Sequence, residues 1–159
     1  MSVRQTLQEL AQQVRTRTRE ILAAARPEWL TWAPPGTSNH LLWHAGHAVW
    51  LMDVLGIELL TGRSELPPGW SEKFGMRCRP PYLTCDWPDR ALLDRMLADQ
   101  LRRFCQLLET VPQERLQLPA SASQARHSLV GQILHGLHDE ACHSGEMYLL
   151  LKMCRSRSA

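Results

Sequence analysis

Proline-containing breaks divide this 159-residue chain into four long segments, each with apolar residues at helical spacing. The segments run over residues 3–26, from about 39 to 61, from 86 or 87 to 111, and over 128–154. No stretch of the sequence alternates apolar and polar residues as a half-buried β-strand does. The sequence therefore predicts an all-α fold, a four-helix bundle, with residues 1–159 forming a single domain.

Small polar residues and glycine mark the expected helix ends. Thr37, Ser38 or Asn39 would cap the second helix, and Gly62 would end it near residue 61. Ser128 would cap the fourth helix. For the third helix we expect a start at residue 86 or 87, with a proline in its first turn.

The break over residues 63–86 is too long and too aromatic for a passive connector. We expect three of its aromatic residues, Trp70, Phe74 and Tyr82, to pin it across the bundle.

Composition excludes several classes of protein. Eighteen Lys and Arg against 16 Asp and Glu give a net charge of +2, and no basic block accompanies an aromatic platform, so nucleic-acid binding is not expected. Charged residues interrupt the most apolar window, residues 41–60, and we therefore expect no membrane span. The N-terminus lacks the apolar run of a signal peptide, and five cysteines form no C-x-x-C pair; both features favour the cytoplasm.

Six of the seven histidines fall in two stretches, one on the second helix and one on the fourth. On the second helix, His40, His44 and His47 lie within a sector of roughly 60°. This helix is apolar nearly all round, which predicts that it is buried. Buried imidazoles need partners, and a divalent metal would be an effective one.

The fourth helix carries His135, Asp139 and His143 at a spacing of four residues, with Glu146 close to the same face. His138 lies on the flank, roughly 140° from His143, so Asp139 and His143 form the better chelating pair. If the two helices are adjacent, the sequence predicts one divalent transition-metal site between them.

Two ordinary interpretations stay open. The histidines could be hydrogen-bonded core residues or surface residues, and Cys142 could be a small core residue. Gly46 and Gly145, next to the candidate ligands, would allow either the close approach of a ligand or tight helix packing.

At these residues the chain resembles the DinB/YfiT-like metalloenzyme superfamily, in particular its DinB-like members. Residues 43–50, Trp-His-Ala-Gly-His-Ala-Val-Trp, look like the W-H-x-G-H-x-x-W signature of the second helix, and residues 143–146 look like the H-x-G-Q/E signature of the last. The resemblance implies an up-down-down-up bundle, often a homodimer. It also implies a divalent metal (zinc, nickel or iron) held by one histidine of the second helix and two of the last.

Carried over to this chain, the resemblance implies His47 as the second-helix ligand, with His44 as the alternative, and His143 on the last helix. The third ligand position of the family holds Asp139 here. Either Asp139 replaces an imidazole, or the neighbouring His138 or His135 binds instead, or metal binding is weakened or lost.

The resemblance further implies a metal-dependent enzyme of the thiol transferase type, acting on a small molecule with a low-molecular-weight thiol as co-substrate. Glu146 or Glu140 would serve as the base. The alternatives are a metal-dependent hydrolase and a non-catalytic, stress-linked homodimer whose metal is structural. A structural metal needs a fourth protein ligand, for which His44, His138 and Cys142 are candidates.

Overall fold

The computed structural model describes residues 2–37, 39–76, 86–119 and 128–157, and this part of the chain is mostly helical. The α-helices are, in chain order, α1 (Val3–Ala24), α2 (Leu41–Met52), α3 (Glu58–Thr61), α4 (Trp70–Phe74), α5 (Arg90–Thr110), α6 (Gln113–Gln117) and α7 (Leu129–Arg157). The described residues contain no strand, only one isolated bridge between Pro119 and Ser128. The predicted all-α class is confirmed, and none of these helices has the length and apolarity needed to cross a membrane.

The four long helices form a bundle in which α1 and α2 each pack against both α5 and α7. The histidine-bearing helices α2 and α7 are therefore neighbours, as the metal-site prediction requires. The up-down-down-up order of the helices stays a prediction.

The core consists of two apolar clusters stacked along the bundle. One surrounds Trp43 and Phe74, and the other surrounds Phe104 and Leu108. Each fully buried Leu or Phe contributes roughly 1.5–3 kcal/mol through burial alone. The side chain of Arg15, which is fully buried, contacts both clusters.

Helix α2 begins differently from the prediction. Its N-cap is His40, whose Nδ1 accepts a hydrogen bond from the backbone N–H of Trp43 at 3.1 Å. Thr37 and Asn39 precede this cap, and Ser38 lies outside the described residues. An unprotonated imidazole nitrogen is an acceptor, so a histidine can fill the role normally taken by Ser, Thr, Asp or Asn.

The second helical segment ends where predicted, but it is not a regular α-helix throughout. A π-helical turn, Asp53–Ile57, joins α2 to α3, and Gly62 follows α3 in the left-handed conformation with φ 80°. Glycine adopts this conformation without steric cost and so ends the helix.

The other predicted ends differ by a few residues. Helix α5 starts at Arg90 rather than at residue 86 or 87, because the Asp89 carboxylate caps it by accepting from the N–H of Leu92 at 2.6 Å. Helix α7 has the predicted cap, since Ser128 Oγ accepts from the N–H of Gly131 at 3.1 Å. Helix α1 stops two residues before the predicted end, and α7 runs three residues beyond it.

Helix α4 pins the break between α3 and α5 against α2. Trp70 donates its indole N–H to the carbonyl of Gly46 at 3.1 Å, and Phe74 is fully buried. A Cβ atom at position 46 would collide with the Phe74 ring, so Gly46 serves tight packing. The pinning prediction is confirmed for Trp70 and Phe74, while Tyr82 lies outside the described residues.

Candidate metal centre

Three histidines from α2 and α7 meet between the two helices. His44 and His47 are buried on α2, with His44 only 2% exposed, and His143 of α7 faces them. The ring of His143 lies 4.6 Å from the ring of His47 and 5.1 Å from that of His44, centroid to centroid. The predicted convergence of the two histidine stretches is therefore present in the folded chain.

Three potential ligand atoms converge at one end of this cluster. His44 Nδ1 lies 3.1 Å from His143 Nδ1, which lies 2.7 Å from Glu146 Oε2, and the third separation, from His44 Nδ1 to Glu146 Oε2, is 3.5 Å. Ligand atoms bound to one tetrahedral metal at 2.0–2.1 Å are roughly 3.3 Å apart. Among the described residues, His44, His143 and Glu146 form the group of ligand-type side chains that could hold a metal ion.

Burial keeps the α2 histidines neutral. Desolvation lowers the pKa of His44 to about 3, and the neighbouring His143, His47 and His40 lower it further in the same direction. Desolvation also lowers the pKa of His47, against the opposing effect of its hydrogen bond to Phe74. Neutral imidazole is the form that binds metals, so these side chains are ready to act as ligands at physiological pH.

His47 is held in one orientation by its surroundings. Its Nδ1 lies 2.5 Å from the carbonyl oxygen of Phe74, and because a carbonyl only accepts, Nδ1 carries the proton and Nε2 keeps the lone pair. The indole rings of Trp43 and Trp50 both stack on the imidazole, with centroids 4.7 and 5.3 Å from its own. Metal-binding histidines are typically oriented by such an outer carbonyl.

The remaining predicted site residues of α7 lie at different depths. Asp139 is half-buried, and its charge, like that of Glu146, partly opposes the lowering of the His47 pKa that desolvation causes. His138 is 74% exposed and His135 is also exposed, and each lies beside Asp139, at 3.9 and 3.7 Å. Cys142 is exposed too, with its Sγ 3.8 Å from His138 Nε2. His138 and Cys142 are therefore outside the group formed by His44, His143 and Glu146.

Glu140 does not have the free carboxylate expected of a base or a surface residue. It is buried, and its two oxygens accept from Arg15 Nη2 at 2.9 Å and from Thr18 Oγ1 at 3.0 Å. Both partners lie on α1, more than a hundred residues away, so no local pattern indicated the pairing. That prediction for Glu140 is wrong, and Glu146, which is 57% exposed, is the carboxylate with access to solvent.

Sequence reasoning also missed the groups that orient His47. Trp43 and Trp50 lie four residues before and three residues after it, which is the spacing of neighbours on a helix face. That spacing could have indicated the stacking. The Phe74 carbonyl comes from a separate helix and has no sequence signal.

Comparisons with known proteins agree with this architecture. The family model of the DinB superfamily matches residues 10–147. The crystal structure of a conserved protein from Enterococcus faecalis is similar over 96% of this chain and 96% of that one, with a TM-score of 0.69 and 20% sequence identity, which shows a shared fold. Among curated proteins there is no match. Because the family model covers most of the chain, this protein belongs to the DinB superfamily.

Proposed function

We propose that this protein is a metal-dependent enzyme whose divalent metal binds between α2 and α7, with His44, His143 and Glu146 as ligands. The observation that carries the proposal is the convergence of two imidazole nitrogens and one carboxylate oxygen within 2.7–3.5 Å of one another. A donor set of two imidazoles and one carboxylate suits zinc, iron or nickel.

A second ligand set shares His143 and replaces the other two residues by His47 and Asp139. The carbonyl of Phe74 supports it, because that bond leaves the Nε2 lone pair of His47 free. His138 is a weaker candidate, since its imidazole is largely in solvent.

Three protein ligands would leave positions open for substrate, and Glu146 gives the centre access to solvent. The bound ion would supply Lewis acidity, which favours deprotonation of a thiol or water and polarises a carbonyl. Of the two carboxylates near the centre, one would be a metal ligand and the other the base. If Glu146 is a ligand, Asp139 is the base; if Asp139 is a ligand, Glu146 is the base.

The proposed reaction is transfer of a low-molecular-weight thiol to a small electrophilic substrate. The free carboxylate takes the thiol proton, and the sulfur forms a bond to carbon while the leaving group departs with its electron pair. Support comes from Glu146, the solvent-accessible carboxylate beside the histidines, and from the resemblance to thiol-using members of the superfamily. Hydrolysis by the same site, with water in place of the thiol, is the second candidate.

Metal binding can be tested with purified protein by elemental analysis and by Co²⁺ absorption. We expect His143→Ala to lose the metal, because both ligand sets contain His143. The first ligand set predicts that His44→Ala and Glu146→Gln lose the metal. It also predicts that His47→Ala and Asp139→Asn keep it. The opposite pattern would support the second set. His135→Ala, an exposed histidine of the same helix, is the control. Wild-type affinity in His143→Ala would contradict the proposal.

Thiol transfer can be tested with L-cysteine as the thiol and monobromobimane as the electrophile, which releases bromide. The metal-loaded protein should accelerate the conjugation, while the metal-free protein and His143→Ala should not. Turnover of p-nitrophenyl acetate without any thiol would favour the hydrolase. Metal binding with neither reaction, together with a closed four-ligand spectrum, would favour a structural metal.

A further inference from the structure

A groove lies on the surface between the segment that follows α1 and the last turns of α7. It has a volume of about 780 Å³, and its walls include Trp32, Pro34, Pro35, Leu149 and Met153. Small-molecule sites typically measure roughly 300–1,000 Å³ and are lined mainly by apolar groups. Leu149 is 54% exposed, so its side chain is left without packing partners that would cover it.

The charged residues that line this groove, Lys152 and Arg157, are both cations. The guanidinium of Arg157 lies over the Trp32 ring, 4.6 Å from its centroid, which holds it at the groove. Stacking occupies the face of a guanidinium and leaves the N–H groups of its edge available for an anion. The groove therefore combines an apolar surface with cationic groups at the end of α7.

The groove lies along the same face of α7 as Glu146 of the candidate metal centre. Leu149 follows Glu146 by three residues, and both Leu149 and Met153 lie within roughly 60° of Glu146 around the helix. Arg157 is eleven residues beyond Glu146, which corresponds to roughly 16 Å along the helix axis. A ligand of that length could contact Arg157 at one end and approach the metal centre at the other.

We propose that this groove binds a small amphipathic acid, with its anionic group at Lys152 and Arg157 and its apolar body on Trp32, Leu149 and Met153. The acid would be the substrate class of the metal centre, and this second statement rests on the proposed function. A second copy of the chain is a poorer occupant. In a two-fold interface centred here, Lys152 and Arg157 would face cations of the partner.

Titration calorimetry with sodium decanoate, used below its micelle-forming concentration, tests the proposal. We expect saturable binding of decanoate and at least about tenfold weaker binding of decyltrimethylammonium, which has the same chain and the opposite charge. Leu149→Glu should weaken decanoate binding by about tenfold or more, because it adds a like charge to the apolar wall. Leu134→Glu is the matched control, since Leu134 is a 39% exposed leucine of the same helix outside the groove.

A second pair of variants tests the anion contact. Arg157→Ala should weaken decanoate binding by about tenfold, whereas Arg155→Ala, an exposed arginine two residues earlier, should not change it. Equal binding of decanoate and the cation, or equal losses in Leu149→Glu and Leu134→Glu, would overturn the proposal. A dimer that Leu149→Glu dissociates, with no decanoate binding, would also overturn it and assign the groove to a second copy.

The two proposals can fail separately. His143→Ala should bind decanoate as the wild type does, because the groove contains no proposed ligand. In the Co²⁺-loaded wild type, saturating decanoate should alter the visible spectrum, since Leu149 of the groove lies about one helical turn from Glu146. Metal binding without decanoate binding would overturn only the groove. Decanoate binding without metal binding would overturn the proposed function and the substrate assignment. An unchanged visible spectrum in the Co²⁺-loaded protein would overturn the substrate assignment alone.

Discussion

Two clusters of polar side chains are buried against α7, one turn apart, and they are satisfied in different ways. In the ion-pair cluster, Arg15, Thr18 and Glu140 bond one another, and Arg15 also donates to the carbonyl of Ala48 at 3.2 Å and to Gln100 at 3.3 Å. Among the residues that the structure describes, Arg15 Nε is the nitrogen of that guanidinium without a hydrogen-bond partner.

In the histidine cluster, His44, His47 and His143 lie ring against ring, with a solvent-accessible carboxylate beside them. Neutral imidazoles keep a lone pair on one nitrogen, and here the Nδ1 atoms of His44 and His143 lie 3.1 Å apart, with Glu146 Oε2 2.7 Å from the second of them. Burial alone therefore does not indicate function. In the ion-pair cluster the two charges are paired with each other within the chain, whereas the histidine cluster has the composition of a site completed by an ion.

The largest expected effect tests the ion-pair cluster. Glu140→Ala should lower the free energy of unfolding by about 3–5 kcal/mol, because it leaves the Arg15 guanidinium buried and unpaired. The double variant Arg15→Met/Glu140→Leu should be close to the wild type, since apolar residues of similar volume replace both charges. Urea denaturation measures both.

The same experiment on the histidine cluster should give a different result. In metal-free protein, His44→Leu should change the free energy of unfolding by no more than about 1 kcal/mol, because a buried neutral imidazole is exchanged for an apolar group of similar size. If His44→Leu lowered the free energy of unfolding as much as Glu140→Ala does, both clusters would be structural. That result would contradict the distinction between them.

The next effect concerns metal addition. Zinc at about a hundred times its dissociation constant should stabilise the wild type by roughly 2.7 kcal/mol, and a chelator should reverse the change. His143→Ala should show no such stabilisation, while Arg15→Met/Glu140→Leu should keep it. Thermal unfolding with and without zinc measures these effects. If the double variant lost the stabilisation by zinc, the two clusters would not be independent.

Acid should destabilise the metal-free protein through the α2 histidines. Desolvation lowers the pKa of His40 to about 4, from an ordinary value of 6.5, and its Nδ1 must stay unprotonated to cap α2. The unfolded chain therefore binds the proton first, and stability is complete above about pH 6.5 and is lost as the pH falls towards 4. At pH 5 the loss from His40 is about 2 kcal/mol.

Urea denaturation at pH 7 and pH 5 measures this loss. His40→Asn keeps a capping side chain and removes the titration, so its stability should fall less between the two pH values. His135→Asn, on the exposed face of α7, is the control and should behave as the wild type. Identical pH dependence in all three proteins would contradict the assignment.

The smallest effect is expected at Gly145, on the surface beside the histidine cluster, in contrast to the buried Gly46. A Cβ atom at Gly145 would meet nothing within 4 Å, so Gly145→Ala should stabilise the metal-free protein by up to about 1 kcal/mol through helix propensity. Gly46→Ala should destabilise it, by about 1–3 kcal/mol, because the new methyl group collides with Phe74. Destabilisation by Gly145→Ala would show that this surface is covered by another chain in solution.

The sequence alone determined the four long helices, the pinning of the break by Trp70 and Phe74, and the meeting of His44, His47 and His143. These features follow from local periodicity, because helical spacing decides which side chains share a face. The packing of neighbouring helices then brings such faces together.

The tertiary structure decided which buried group meets which partner. Glu140 and Glu146 look equivalent in the sequence, yet α1 supplies Arg15 to the first, while the second reaches solvent. His40 became a cap and His47 received the Phe74 carbonyl for the same reason. A hydrogen bond depends on a partner within about 3 Å, and such partners come from residues far away in the chain, whose positions no local pattern encodes.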